Sequence, residues 1–80
     1  MRYQVTTKLS PQEALQRALT HFGVQGVGLQ PVDQTDTCVT FEGGGGHVSV
    51  VACRAEKHTS LDIETREWDY VVRQFMQQVA

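Results

Sequence analysis

The sequence predicts an α+β fold, a two-layer sandwich in the order β-α-β-β-β-β-α, with a five-stranded antiparallel sheet and both helices on one face. Three observations lead there. Apolar residues alternate with polar ones in several short stretches, and they recur at helical spacing in two others, one early and one at the C-terminal end. Turn-forming residues, most plainly the run Gly43 to Gly46, separate the strand-like stretches.

The chain opens on MRYQVTTKLS, where Tyr3, Val5 and Leu9 alternate with Arg2, Gln4, Thr6 and Lys8, the pattern of a half-buried strand. A helix follows abruptly. Ser10 can cap it, Pro11 suits its first position, and Glu13 completes a capping box by reaching back to the Ser10 amide. Ala14, Leu15, Ala18, Leu19 and Phe22 form one apolar stripe, and Gly23 can end the helix in the left-handed conformation. A weaker strand is expected at Gly28 to Val32, on an edge because Pro31 cannot donate to a ladder. Firmer strands follow at Thr37 to Glu42, His47 to Arg54 and Thr59 to Arg66. From about Glu67 the spacing of Trp68, Val71, Val72, Phe75, Met76 and Val79 is helical, with Glu67 and Asp69 in the first turn, where the dipole favours acids.

The stretch FEGGGGHVSV raises the possibility of a phosphate loop. Such a loop needs a helix after it and a Lys-Ser/Thr pair. Here His47-Val48-Ser49-Val50 follows, a strand, so the glycines read as a hairpin tip, tolerant of positive φ and open to mobility. Val39 and Phe41 must then share a face with Val48, Val50 and Ala52. Two registers satisfy this, one setting Cys38 directly opposite Cys53 and the other diagonally. Either way both thiols lie on the face away from the core, with Thr40, Glu42, Ser49 and Val51. They read as reduced side chains on a sheet surface, with a redox or intersubunit role as the alternative.

Composition bounds function. Eighty residues form one domain, 1–80, able to bury roughly 60–65% of the surface of its unfolded chain. A cavity for a drug-sized molecule takes about 300 Å³ or more, so a shallow groove suits so thin a core better than an enclosed pocket. Seven Lys and Arg against nine Asp and Glu give a net charge of −2. The basic residues are scattered along the chain, without the stripe that tracks phosphates, so nucleic acid is disfavoured. The N-terminus lacks an apolar signal region and no stretch approaches the roughly 20 apolar residues of a membrane span. A cytoplasmic location is expected. Two cysteines are too few for a disulfide scaffold of the secreted kind.

No residue set carries evident catalysis or metal binding, and no cofactor is expected. His47 and Cys53 share a face but stand six strand residues apart, about 20 Å, too far for one ion. His21 reads as a dipole partner at the end of the first helix, and His58 as a solvated residue of the turn Arg54 to His58. Asp62 and Glu64 project from the face opposite Leu61 and Ile63; paired acids can act as a general acid and base, but a solvated strand face explains them.

The element order, together with the final stretch LDIETREWDYVVRQFM in which a strand passes almost directly into a helix, resembles two families. One is the TATA-binding-protein-like half-domain. The other is a shortened helix-grip protein of the START and polyketide-cyclase class, whose curved antiparallel sheet wraps a long C-terminal helix. The helix-grip resemblance implies an apolar ligand between sheet and last helix, lined by Tyr3, Phe41, Trp68, Val72 and Phe75, with Gly44, Gly45 and His47 on its flexible rim. The first resemblance implies DNA binding through two tandem halves with inserted phenylalanines, whereas this chain has one half and a free face rich in Thr, Ser, Asp and Glu.

The function expected from the sequence is therefore a small non-enzymatic interaction module, favouring a homodimer, since a thin core and a free face with Val51, Cys38 and Cys53 both gain from a partner. A minimal carrier of a small apolar ligand in the groove beside Trp68 is the alternative. An enzyme using Asp62, Glu64 or His47 comes last.

Overall fold

Seven elements realise these patterns in the computed structural model, which describes Met1–Ala80. They are β1 (Arg2–Thr7), α1 (Pro11–Phe22), β2 (Gln30–Gln34), β3 (Cys38–Gly43), β4 (Gly46–Arg54), β5 (Thr59–Arg66) and α2 (Asp69–Val79). The sheet runs β1-β5-β4-β3-β2, all antiparallel, so β1 lies beside the strand most distant from it in sequence. Helix α1 packs on β3 and β4, α2 packs on β5 and β1, and the two helices touch. Both therefore cover one face, and the expected α+β sandwich is the fold observed.

Between the layers lies one cluster of buried apolar residues. Its sheet side is Val39 and Phe41 of β3, Val48, Val50 and Ala52 of β4, and Leu61 and Ile63 of β5; its helix side includes Ala14, Leu15, Ala18, Phe22, Val72, Phe75 and Val79. Burying a side chain of Val, Leu or Phe contributes about 1.5–3 kcal/mol, so this cluster supplies the main driving force of folding. Polar groups that enter the interior are paired. The Thr59 hydroxyl donates to the Leu9 carbonyl at 2.7 Å and that of Thr65 to the His47 carbonyl at 2.9 Å. No buried side-chain nitrogen or oxygen lacks a hydrogen bond.

Helix α1 starts as the sequence predicts: Ser10 Oγ accepts from the Glu13 amide and Glu13 Oε1 from the Ser10 amide, each at 3.2 Å. Four boundaries differ. β1 stops at Thr7 because its hydroxyl accepts from the Leu9 amide at 3.2 Å, turning the chain toward the helix. Gly23 is not left-handed (φ −77°); it donates to the Leu19 carbonyl, which a Cβ would meet, and the positive φ falls at Gly28 (95°) instead. β2 begins two residues later than expected, with a register shift between Pro31 and Asp33, and it is an edge strand as Pro31 suggests. Glu67 lies outside the first turn of α2, at φ 76°, because β5 and α2 are joined by only two residues and the chain must reverse there.

The β3–β4 register is the diagonal one. Phe41 faces Val48, Val39 faces Val50, and Cys38 faces Val51, leaving Gly44 and Gly45 as a two-residue turn with φ of 58° and 81°. Positive φ at both central residues is the type I′ geometry that matches the twist of a hairpin.

Candidate functional site

The residues predicted to line a ligand groove separate into three places. Phe41, Val72 and Phe75 are fully buried in the core, where the Phe22 ring sits 5.5 Å from Phe41 and 5.1 Å from Phe75, filling the space between sheet and helices. Trp68 lies at the end of that layer. Its Nε1–H donates to the Gly43 carbonyl at 2.9 Å and its ring rests against Gly44, while at Gly45 the position a Cβ would take has nothing within 4 Å. Tyr3 is half-buried on β1, at the opposite side of the sheet from β3. His47 is on the other face altogether, since its neighbour Val48 points into the core. None of the five main surface depressions is lined by Phe41, Trp68, Val72 or Phe75.

The uncovered face of the sheet presents Cys38, Thr40 and Glu42 of β3, His47, Ser49, Val51 and Cys53 of β4, Ser60, Asp62, Glu64 and Arg66 of β5, and Arg2, Gln4 and Thr6 of β1, as the strand registers require. A depression of about 410 Å³ opens there, lined by the side chains of Arg2, Ser49, Val51, Asp62 and Glu64, with Tyr3 and Ile63 contributing from below. Side chains lace its rim. Glu64 takes Arg2 at 3.1 Å on one oxygen and His47 at 3.5 Å on the other; Thr40 and Ser49 hydroxyls meet at 3.0 Å; Gln4 donates to Ser60 at 3.1 Å. The solvated Arg2–Glu64 pair contributes at most about 1 kcal/mol, so these contacts shape the face more than they hold the fold. In their midst Val51 is 36% exposed. Cys38, half-buried, and Cys53, exposed, are free thiols beside it.

Arg2 is the member of this face that the sequence reading did not single out. Its alternation with Tyr3 puts it on the open side, but only the pairing Arg2↔Glu64 brings it to the acids of β5. His21 also does more than cap a dipole: its Nε2 lies 3.2 Å from the Val71 carbonyl, and its ring is 5.6 Å from Phe75, tying α1 to α2. His58 is exposed in the β4–β5 turn. No group of three His, Cys, Asp or Glu side chains converges to hold a metal.

A second depression, about 540 Å³, gathers three of the seven scattered Lys and Arg residues with one histidine. Lys8, Arg17, Lys57 and His58 line it together with the end of α2, and no Asp or Glu does. No helix is long and apolar enough to cross a membrane. Comparison with protein-family models, with curated proteins and with solved structures finds no match to this chain.

Proposed function

We propose that this protein is a small non-enzymatic interaction module that self-associates through the open face of its sheet. The observation that carries this reading is the uncovered face itself, with an exposed valine at its centre and both signs of charge around it. A second copy suits such a surface. A two-fold contact sets each patch against the same patch, so a face holding Arg2 and Arg66 beside Asp62 and Glu64 can pair opposite charges with itself while covering Val51. Five strands about 4.8 Å apart and roughly 20 Å long give a footprint of roughly 400 Å² per copy, about 800 Å² in all, below the roughly 1,200 Å² at which stable specific interfaces begin and in the range of transient contacts. The association is accordingly weak, reversible and concentration-dependent.

The carrier of an apolar ligand is the less favoured reading, because Phe22 occupies the space between Phe41 and Phe75. A nucleic-acid partner is also disfavoured: the basic depression holds three Lys and Arg residues and does not extend into a stripe.

Sedimentation velocity under reducing conditions, across micromolar to near-millimolar protein, tests the proposal. The expected result is an assembly that grows with concentration, is weakened about tenfold by Val51→Arg, and slows alkylation of Cys53 as it forms. A protein that stays monomeric throughout, or an assembly indifferent to Val51→Arg, overturns the open face as the contact surface.

A further inference from the structure

The two edges of the sheet are built differently. β2 is guarded: Pro31 has no amide hydrogen, the ladder to β3 shifts between Pro31 and Asp33, and Asp33 adds a charge. β1 lacks the proline and the register shift, and its one charge, Arg2, stands at its first residue. It runs Arg2–Thr7 without glycine, proline or bulge, and it pairs with β5 unbroken from Arg2↔Glu64 to Thr7↔Thr59. The phase of that ladder is set at its start, where Met1 and Thr65 exchange both main-chain bonds. Bonded pairs alternate in an antiparallel ladder, so Tyr3, Val5 and Thr7 bond to β5 while the N–H and C=O groups of Arg2, Gln4 and Thr6 point outward from the sheet. No turn, loop or cap hydrogen bond engages those outward groups.

We infer that β1 is a seam along which a second copy of this chain adds its own β1, antiparallel, about a two-fold axis through Gln4, making one continuous sheet. The register is self-complementary. Arg2 then faces Thr6 of the second copy, Gln4 faces Gln4, and Thr6 faces Arg2, so every outward main-chain group on these residues meets its counterpart and each pair exchanges two bonds. Moving the axis to Tyr3 or to Val5 leaves one bonded pair fewer, and the move to Val5 also sets Arg2 against Lys8, a like-charge pair. With the axis at Gln4 the strand's only charge, Arg2, meets a threonine.

The helix face agrees with this placement. Tyr3 and Val5 are half-buried there, and across the seam they become an aromatic and β-branched cross-strand pair. A depression of about 330 Å³ runs beside Val5, lined by Arg73, Met76 and Gln77 of α2. Because α2 lies over β5 and β1, two copies of it would run about 10 Å apart across the axis, two strand spacings and a normal helix-packing distance. This seam is separate from the open-face contact and stands without it.

The test uses chain 1–80 carrying Val51→Arg, at concentrations below those at which the weakened open face associates, with Gln4→Lys or Gln4→Glu added, followed by native mass spectrometry and sedimentation equilibrium. Position 4 meets itself across the axis, so each charged variant alone is expected to dimerise about three- to tenfold more weakly than Val51→Arg, and an equimolar mixture to recover as Lys–Glu heterodimer. Gln4→Pro, whose missing amide is not used by the β5 ladder, is expected to abolish the dimer with little change in circular dichroism. Failure of Val51→Arg to dimerise overturns the seam and leaves the open face standing. A dimer unaffected by charge at position 4, or a mixture with no preference for the heterodimer, overturns it too.

Discussion

The indole Nε1–H of Trp68 donates to the Gly43 carbonyl at 2.9 Å, and the same ring rests so closely on Gly44 that a Cβ there would lie 2.7 Å from its Cζ2. The start of α2 is thereby clamped to the tip of the β3–β4 hairpin. Gly45, with φ 81° but nothing within 4 Å of its Cβ position, shares the backbone strain without the clash. We expect Gly45→Ala to destabilise by about 1–2 kcal/mol, the left-handed penalty alone, and Gly44→Ala by about 1 kcal/mol more. Urea denaturation measures both. In a Trp68→Phe background the excess at Gly44 should shrink, and an undiminished excess would show that Trp68 is not its cause.

The Ser10–Glu13 box carries a pH signature. Glu13 is held below the ordinary glutamate value of 4.5, first by the Ser10 amide it accepts from and then by the Ser10 hydroxyl. A carboxyl whose folded value is lowered lends stability that is present above its unfolded value and is lost as pH falls through the folded one. The loss therefore falls below about pH 4.5. Ser10→Ala is expected to weaken the fold by about 1 kcal/mol at neutral pH through the missing cap. In an NMR titration it should raise the Glu13 midpoint only part of the way, because the Ser10 amide bond remains.

Phe22 links the layers, with its ring 5.5 Å from Phe41 on the sheet and 5.1 Å from Phe75 on α2. Deleting it leaves a cavity that both helices border. Phe22→Ala should remove about 3–5 kcal/mol, a large part of the roughly 4–12 kcal/mol that a domain of this length holds, and Phe22→Leu distinctly less. Thermal melts by circular dichroism should therefore place Leu between wild type and an Ala variant that is barely folded. Similar losses for both variants would mean that the site collapses instead of leaving a void.

Trp68 also reports on the carrier reading. Its indole is bonded to the Gly43 carbonyl, Phe41, Val72 and Phe75 are fully buried, and none of the five main depressions is lined by it. We expect its emission to stay unchanged across a library of lipids and aromatic compounds. A saturable shift at stoichiometric ligand would restore the carrier reading.

What the sequence by itself determined is what a few neighbouring residues decide. The cap of α1 needs only Ser10, Pro11 and Glu13; the faces of β3, β4 and β5 need only a period of two; the edge position of β2 needs only the missing amide of Pro31. The tertiary structure decided everything that joins distant segments. It set β1 beside β5, and so brought Arg2 to Glu64 and left the outward groups of Gln4 bare. It chose the diagonal hairpin register through a two-glycine turn, put Glu67 at positive φ in a connection with no room for another path, and gathered Lys8, Arg17, Lys57 and His58 around one depression. It also settled that Phe41, Val72 and Phe75 are interior. An apolar residue at the right spacing says only which way a side chain points; whether it meets a ligand or another ring depends on how the whole chain fills the volume between sheet and helices, and here Phe22 fills it.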